Sequence, residues 1–177
     1  MFKIQTFVWI FFINMILCLK GEKMKFVYVH HGNRKIVGTP TENDDLTAIG
    51  KKDCTLVAKL LNNPEVKQNA KAIFTAPNPR CRKTAQIINK HIKLPIVEDA
   101  LLNEFDKKSE SWVDCQNRII SFIENALKAY HQDDMVICVT SGVNVLGFIC
   151  KVFNIPASDK NAFVGVPSCS PLIFDIN

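Results

Sequence analysis

The sequence predicts an α/β fold, a three-layer sandwich in which a mostly parallel sheet is flanked by helices. Two observations predict it. From Met24 onward, short β-branched and aromatic runs alternate with segments of helical periodicity, the pattern of strands joined by crossover helices. Polar and small residues also gather just past several strand ends, where parallel sheets place their ligands. The length of 177 residues and the 47% hydrophobic content suit one ordinary core, so residues 24–177 read as a single domain.

The elements follow in order. Residues 25–30 are β-branched and aromatic and stop at Gly32, which reads as a buried strand entering a loop. A helix is expected over 46–61, with Leu46, Ile49, Leu56, Val57, Leu60 and Leu61 at helical spacing. Asp44 and Asp45 lie at its acidic start, and Asn62, Asn63 and Pro64 close it. A short strand over 71–75 runs into Ala76 and Pro77. A helix over 80–92, a strand over 95–98 and a helix over 113–130 come next. Residues 135–140 form the most strand-like run of the chain, and a helix over 145–153 and a last strand over 172–176 complete the domain.

Residues 1–23 stand apart as a hydrophobic extension, almost unbroken in apolar character from Phe7 to Leu19 behind a single Lys3. Three readings stay open: a secretory signal lacking an A-x-A-like site, a membrane anchor shorter than the roughly 20 residues that span a bilayer, or an upstream stretch before a start at Met24. The last gives a cytoplasmic protein. The first two give a secreted one, or one anchored through residues 4–19.

Charge and cysteine usage exclude several classes. The net charge of +5 is spread among acidic residues without a basic block, which argues against nucleic acid as partner. Seven cysteines, widely spaced and without a C-x-x-C or a paired histidine at zinc spacing, point to a reducing compartment and no structural metal. Several lie in apolar runs, where a thiol behaves as a small hydrophobe.

Three strand exits converge if the sheet is parallel: His30-His31-Gly32, Thr75-Ala76-Pro77 and Ser141-Gly142. A neutral imidazole at such an exit is a competent nucleophile toward phosphorus. Phosphoryl transfer also needs guanidinium or amide donors for the equatorial oxygens and an acid for the leaving oxygen. Taken singly, these residues have ordinary readings. A histidine at a strand end is commonly structural, Arg80 would be a solvated helix start and Glu104 a loop carboxylate.

In combination they are more specific. Val29-His30-His31-Gly32 resembles the R-H-G signature of the histidine phosphatase (phosphoglycerate mutase-like) superfamily, placed directly after the first strand. Asp45-Leu46-Thr47 with Gly50 resembles its P-L-T-x-x-G segment, and the run from Thr75 to Ala85 its S-S-P-L-x-R-A-x-Q-T-A segment. Leu101-Leu102-Asn103-Glu104 is similar to its L-x-E acid segment. Ser109-Glu110-Ser111 with Asp114 and Arg118 resembles its G-E-S-x-x-D-x-x-x-R helix start, and Val139-Thr140-Ser141-Gly142 falls where the family writes V-S-H-G.

The resemblance implies a phosphohydrolase that works through a phosphohistidine. His31 is the implied nucleophile, Arg80 the phosphate clamp, Glu104 the proton donor, and Ser141 holds the position of the second catalytic histidine. His30, Gly32, Asn33, Arg34 and Gly142 are the implied substrate-binding residues; no cofactor or metal is implied. The substrate would be a phosphorylated small molecule or a phosphorylated protein side chain.

Two positions depart from the pattern: His30 replaces the family arginine and Ser141 the second histidine. The first exchanges a permanent bidentate cation for a largely neutral group, the second an imidazole for a shorter, uncharged hydroxyl. Arg34, and more distantly Arg82, are candidates to compensate. The spacer between Glu104 and Ser109 is only Phe105-Asp106-Lys107-Lys108, too short for the family's usual lid, which favours an open pocket and a bulky substrate. The alternative is a catalytically inactive pseudophosphatase that serves as a phosphate-binding or regulatory module.

Overall fold

A computed structural model describes residues 23–35, 45–106, 108–155 and 166–176. The hydrophobic extension before Lys23 therefore lies outside the described residues. Among the described residues no helix is long and apolar enough to cross a membrane.

Five strands form one sheet in the order β3-β2-β4-β1-β5. They are β1 (Met24–His30), β2 (Ala70–Thr75), β3 (Ile96–Glu98), β4 (Met135–Thr140) and β5 (Pro171–Ile176). β1, β2, β3 and β4 pair in parallel, and β5 joins the outer side of β1 antiparallel. Among the described residues the accompanying helices are α1 (Ala48–Leu61), α2 (Pro64–Asn69), α3 (Pro79–Ile92), α4 (Trp112–Ala129) and α5 (Gly142–Val152). A 3₁₀ turn, Ala100–Leu102, lies between β3 and α4. The sandwich expected from the sequence is this structure.

Burial explains the layers. Every residue of β4 is buried, as befits a central strand covered on both faces. On one face Phe26, Tyr28 and Phe74 meet Phe148 of α5 and Phe122 of α4, with ring centroids 4.5 to 5.9 Å apart. Side chains alternate along a strand, so Val27 and Val29 point to the opposite face. They are also fully buried, and the α1–α3 pair covers that side. Each such apolar side chain contributes about 1.5–3 kcal/mol on burial.

The element boundaries differ from expectation mainly where caps decide them. α1 begins at Ala48, because the Thr47 hydroxyl caps it by accepting from the Gly50 N–H. Its inward face is Gly50, Cys54, Val57, Ala58 and Leu61. Ile49, Leu56 and Leu60, expected on the apolar stripe, stand 67%, 54% and 54% exposed, because small residues let α1 sit close to the loop after β1 and a different arc of the helix faces inward. α2 was not expected. Asn63 starts it by capping Val66, with Pro64 at the first turn where its missing N–H costs nothing. α5 begins at Gly142 rather than at residue 145.

Candidate active site

The parallel strands bring the three strand exits together. The His31 N–H donates to the Thr140 carbonyl and the Ala76 N–H to the Val139 carbonyl, so the loops after β1, β2 and β4 are tied by backbone bonds. The loop after β1 is welded from beneath. The Thr47 N–H and hydroxyl both donate to the Asn33 carbonyl. Gly50 passes so close that a Cβ there would lie 2.3 Å from that oxygen. The Gly32 N–H donates to the Thr84 hydroxyl, which donates in turn to the Arg80 carbonyl. The motif positions Thr47, Gly50 and Thr84 are thus parts of one support.

His31 is buried, and its Nδ1 lies 2.9 Å from the Gly32 carbonyl oxygen. A carbonyl only accepts, so Nδ1 carries the ring proton and Nε2 presents its lone pair. The Arg80 Nε–H donates to that lone pair at 2.9 Å. Burial is the main reason that the His31 pKa is pushed down to about 3, and the charges of Arg80 and Arg34 push the same way. The imidazole is therefore neutral and nucleophilic throughout the physiological range.

Arg80, at the start of α3, is 2% exposed. The Asn78 side chain caps that helix by accepting from the Cys81 N–H. The other end of the Arg80 guanidinium pairs with Glu104, which follows the 3₁₀ turn. His31, Arg80 and Glu104 thus form a connected triad with Arg80 in the middle.

The Glu104 segment is held by groups the sequence reading gave no role. Asn144, 1% exposed on α5, directs its Nδ2 to the carbonyls of Leu102 and Asn103 and to the Thr140 hydroxyl, at 2.7 to 2.8 Å. Arg118 pairs with Glu110 and donates to the carbonyls of Leu101 and Asn103. The signal for Asn144 was present, since an amide in the otherwise apolar opening of a buried helix needs partners.

Ser141 caps α5 without a side-chain bond. It is 2% exposed, and its Oγ has no hydrogen-bond partner among the described residues. His30 lies beside it. A Cβ on Gly142 would come within 3.0 to 3.4 Å of the His30 ring, and that ring meets His31 edge-on with centroids 4.5 Å apart.

His30, an implied substrate-binding residue, is engaged within the fold. Its Nδ1 lies 2.7 Å from the Val166 carbonyl, so the single proton of the neutral ring is already committed. Burial lowers its pKa, so a second proton arrives only below the ordinary imidazole range. Gly32 has likewise spent its N–H on Thr84, and Asn33 contributes its carbonyl to Thr47. Gly142 bears on His30. Arg34 is half-buried, bridges to Leu46 through its backbone, and its charge is felt at His31. Arg82 turns away to an exposed ion pair with Glu98 at 2.9 Å.

The fold and site define an α/β protein with a buried strand-end histidine, a buried arginine and a carboxylate. A sequence model of the histidine phosphatase superfamily (branch 1) matches residues 29–109. That match and the fold support membership of the histidine phosphatase superfamily.

No curated protein matches the chain in sequence. Among solved structures, Bacillus stearothermophilus YhfR is similar at 19% identity and TM-score 0.72, covering 85% of this chain and 90% of its own. An Escherichia coli protein assigned as a candidate alpha-ribazole-5′-P phosphatase is similar at 16% identity and TM-score 0.73, covering 87% and 91%. A mycobacterial glucosyl-3-phosphoglycerate phosphatase is similar at 16% identity and TM-score 0.69, covering 84% and 90%. At these identities the likeness establishes the shared fold.

Proposed function

We propose that the protein is a phosphohydrolase that passes a phosphoryl group through His31. The observation that carries this reading is the fixed tautomer of His31. A buried, neutral ring has its proton locked on Gly32 and its Nε2 lone pair aimed at a guanidinium. In the resting site Arg80 holds both that lone pair and Glu104. An incoming phosphate takes over the guanidinium, releasing Nε2 to attack phosphorus and Glu104 to face the leaving oxygen.

In the first step the N–P bond forms, the P–O bond to the leaving group breaks, and Glu104 gives that oxygen its proton. In the second step water attacks phosphorus and passes a proton to Glu104, the N–P bond breaks, and inorganic phosphate leaves. The Ser141 hydroxyl, buried without a partner, supplies one donor, and the Arg34 charge adds to the field. The substrate class is a phosphorylated small molecule or protein side chain, and the short spacer between Glu104 and Ser109 favours the bulkier one.

A second reading, a phosphate-binding module without turnover, is favoured by the same two departures. His30 is neutral with its proton spent, and a hydroxyl stands where the family has imidazole. Losing one transition-state donor costs about 10²–10³ in rate. The deciding test is turnover of an aryl phosphate by the protein, by His31→Ala and by Ser141→His. Activity abolished in His31→Ala supports the phosphohistidine route. An inert parent revived by Ser141→His sinks it in favour of the binding module.

A further inference from the structure

The Sγ atoms of Cys54 and Cys169 lie 3.3 Å apart, although 115 positions separate them in the chain. We propose that this pair is an oxidation site at which a hydroperoxide forms an intramolecular disulfide behind the loop carrying His31.

Both thiols adjoin that loop. Cys54 sits on the inward face of α1 with its sulfur so near Gly32 that a Cβ there would be 2.6 Å away. Cys169 lies in the turn before β5 at a φ of 57°, and its N–H donates to the His30 carbonyl at 3.0 Å. A disulfide has sulfurs about 2.05 Å apart, so closure needs an approach of roughly 1.3 Å.

The chemistry of the pair is asymmetric. The hydrogen bond between the two sulfurs draws the Cys54 thiol below its ordinary range and raises that of Cys169. Burial instead pushes the thiols of Cys115, Cys138 and Cys150 up. Cys54 is thus the more readily ionised thiol of the pair and the member that attacks peroxide as its thiolate. Access runs past Cys169, which is 9% exposed beside exposed Pro167 and Ser168, a path suited to an oxidant as small as hydrogen peroxide.

The steps balance. The Cys54 thiolate attacks one peroxide oxygen, the O–O bond breaks, and hydroxide leaves to give the sulfenic acid. The Cys169 sulfur then attacks the Cys54 sulfur and the S–O bond breaks. The departing hydroxide takes the Cys169 proton, so two thiols and one hydrogen peroxide give one disulfide and two waters. The bond ties to α1 the segment whose Val166 carbonyl and Cys169 N–H hold His30. This inference rests on thiol geometry and is independent of the phosphohydrolase reading.

The test treats the folded, full-length protein with hydrogen peroxide, alkylates remaining thiols after unfolding, and maps the peptides by mass. The expected product is one cross-linked pair containing Cys54 and Cys169, lighter by two hydrogens and reversed by dithiothreitol. Cys169→Ser should instead accumulate a dimedone-reactive sulfenic acid on Cys54. Alkylation of both thiols after peroxide treatment overturns the proposal, as does a cross-link joining either to a different cysteine. The unmutated protein decides the matter even where a variant folds poorly.

Discussion

The buried neutral state of His31 makes acid stability a direct probe of the site. In the unfolded chain the imidazole binds a proton near its ordinary pKa of about 6.5, whereas in the fold it does so only near 3. Between those values the unfolded state holds the extra proton, so stability falls as the pH drops through the window and levels off below about 3. The full slope is about 1.4 kcal/mol per pH unit, and from pH 7.5 to 5 one such histidine costs about 2 kcal/mol. The perturbation is His31→Asn, whose side-chain amide can still donate to Gly32 but does not titrate. Urea unfolding of both proteins at pH 7.5 and 5 gives the difference of differences, in which other titrating groups cancel. The parent should lose about 2 kcal/mol more than the variant on acidification. Equal losses would refute the assignment of a neutral nucleophile, and with it the tautomer argument for Nε2.

Three further perturbations separate the roles of neighbouring groups. Glu104→Gln keeps a polar partner near Arg80 but removes its charge, so inorganic phosphate should bind more tightly by calorimetry. Turnover of alkyl phosphates should fall about 10²–10⁴-fold, with a smaller loss for a nitrophenyl phosphate whose leaving group needs no proton. Asn144→Ala strips a donor from the Leu102 and Asn103 carbonyls and from Thr140 and should cost about 1–3 kcal/mol by urea unfolding, whereas an unchanged midpoint would show the Glu104 segment held by Arg118 alone. His30→Arg and Ser141→His should cooperate: groups this close couple by about 0.5–3 kcal/mol, so turnover of the double variant should exceed the product of the single effects by roughly 2- to 150-fold.

Much of the fold was legible because strand cores and caps are local. Residues 135–140 form an apolar β-branched run with no alternative, and β4 has those bounds. His31, Arg80 and Glu104 were legible through the family resemblance of the segments that carry them, and the structure brings the three side chains into one connected chain of contacts. What escaped was set by long-range packing. The inward arc of α1 is chosen by Gly50 meeting Asn33, and periodicity alone favoured Ile49, Leu56 and Leu60. The use of the His30 proton depends on Val166, 136 positions away, which no local pattern announces. The antiparallel sense of β5 is likewise decided by where the chain returns beside β1.

The two departures from the family pattern are neighbours in space, and that changes how they weigh. His30 presses on Gly142, next to Ser141, while Arg80 and Glu104 connect to the Nε2 of His31. Both substitutions therefore remove donors from the quarter of the site formed by His30 and Ser141, and the triad with its supports through Thr84, Thr47 and Asn144 is left whole. Breaking a buried tie costs stability whether or not the site turns over, so the supports are expected to persist either way and the two departures act on the donor set alone. Here the Nδ1 of His31 is bonded to Gly32 and the Glu104 segment to Asn144, and among the described residues the buried Ser141 hydroxyl has no partner. That pattern is compatible with the proposed reading, in which Arg80 is the main phosphate donor and the Ser141 hydroxyl bonds the ligand.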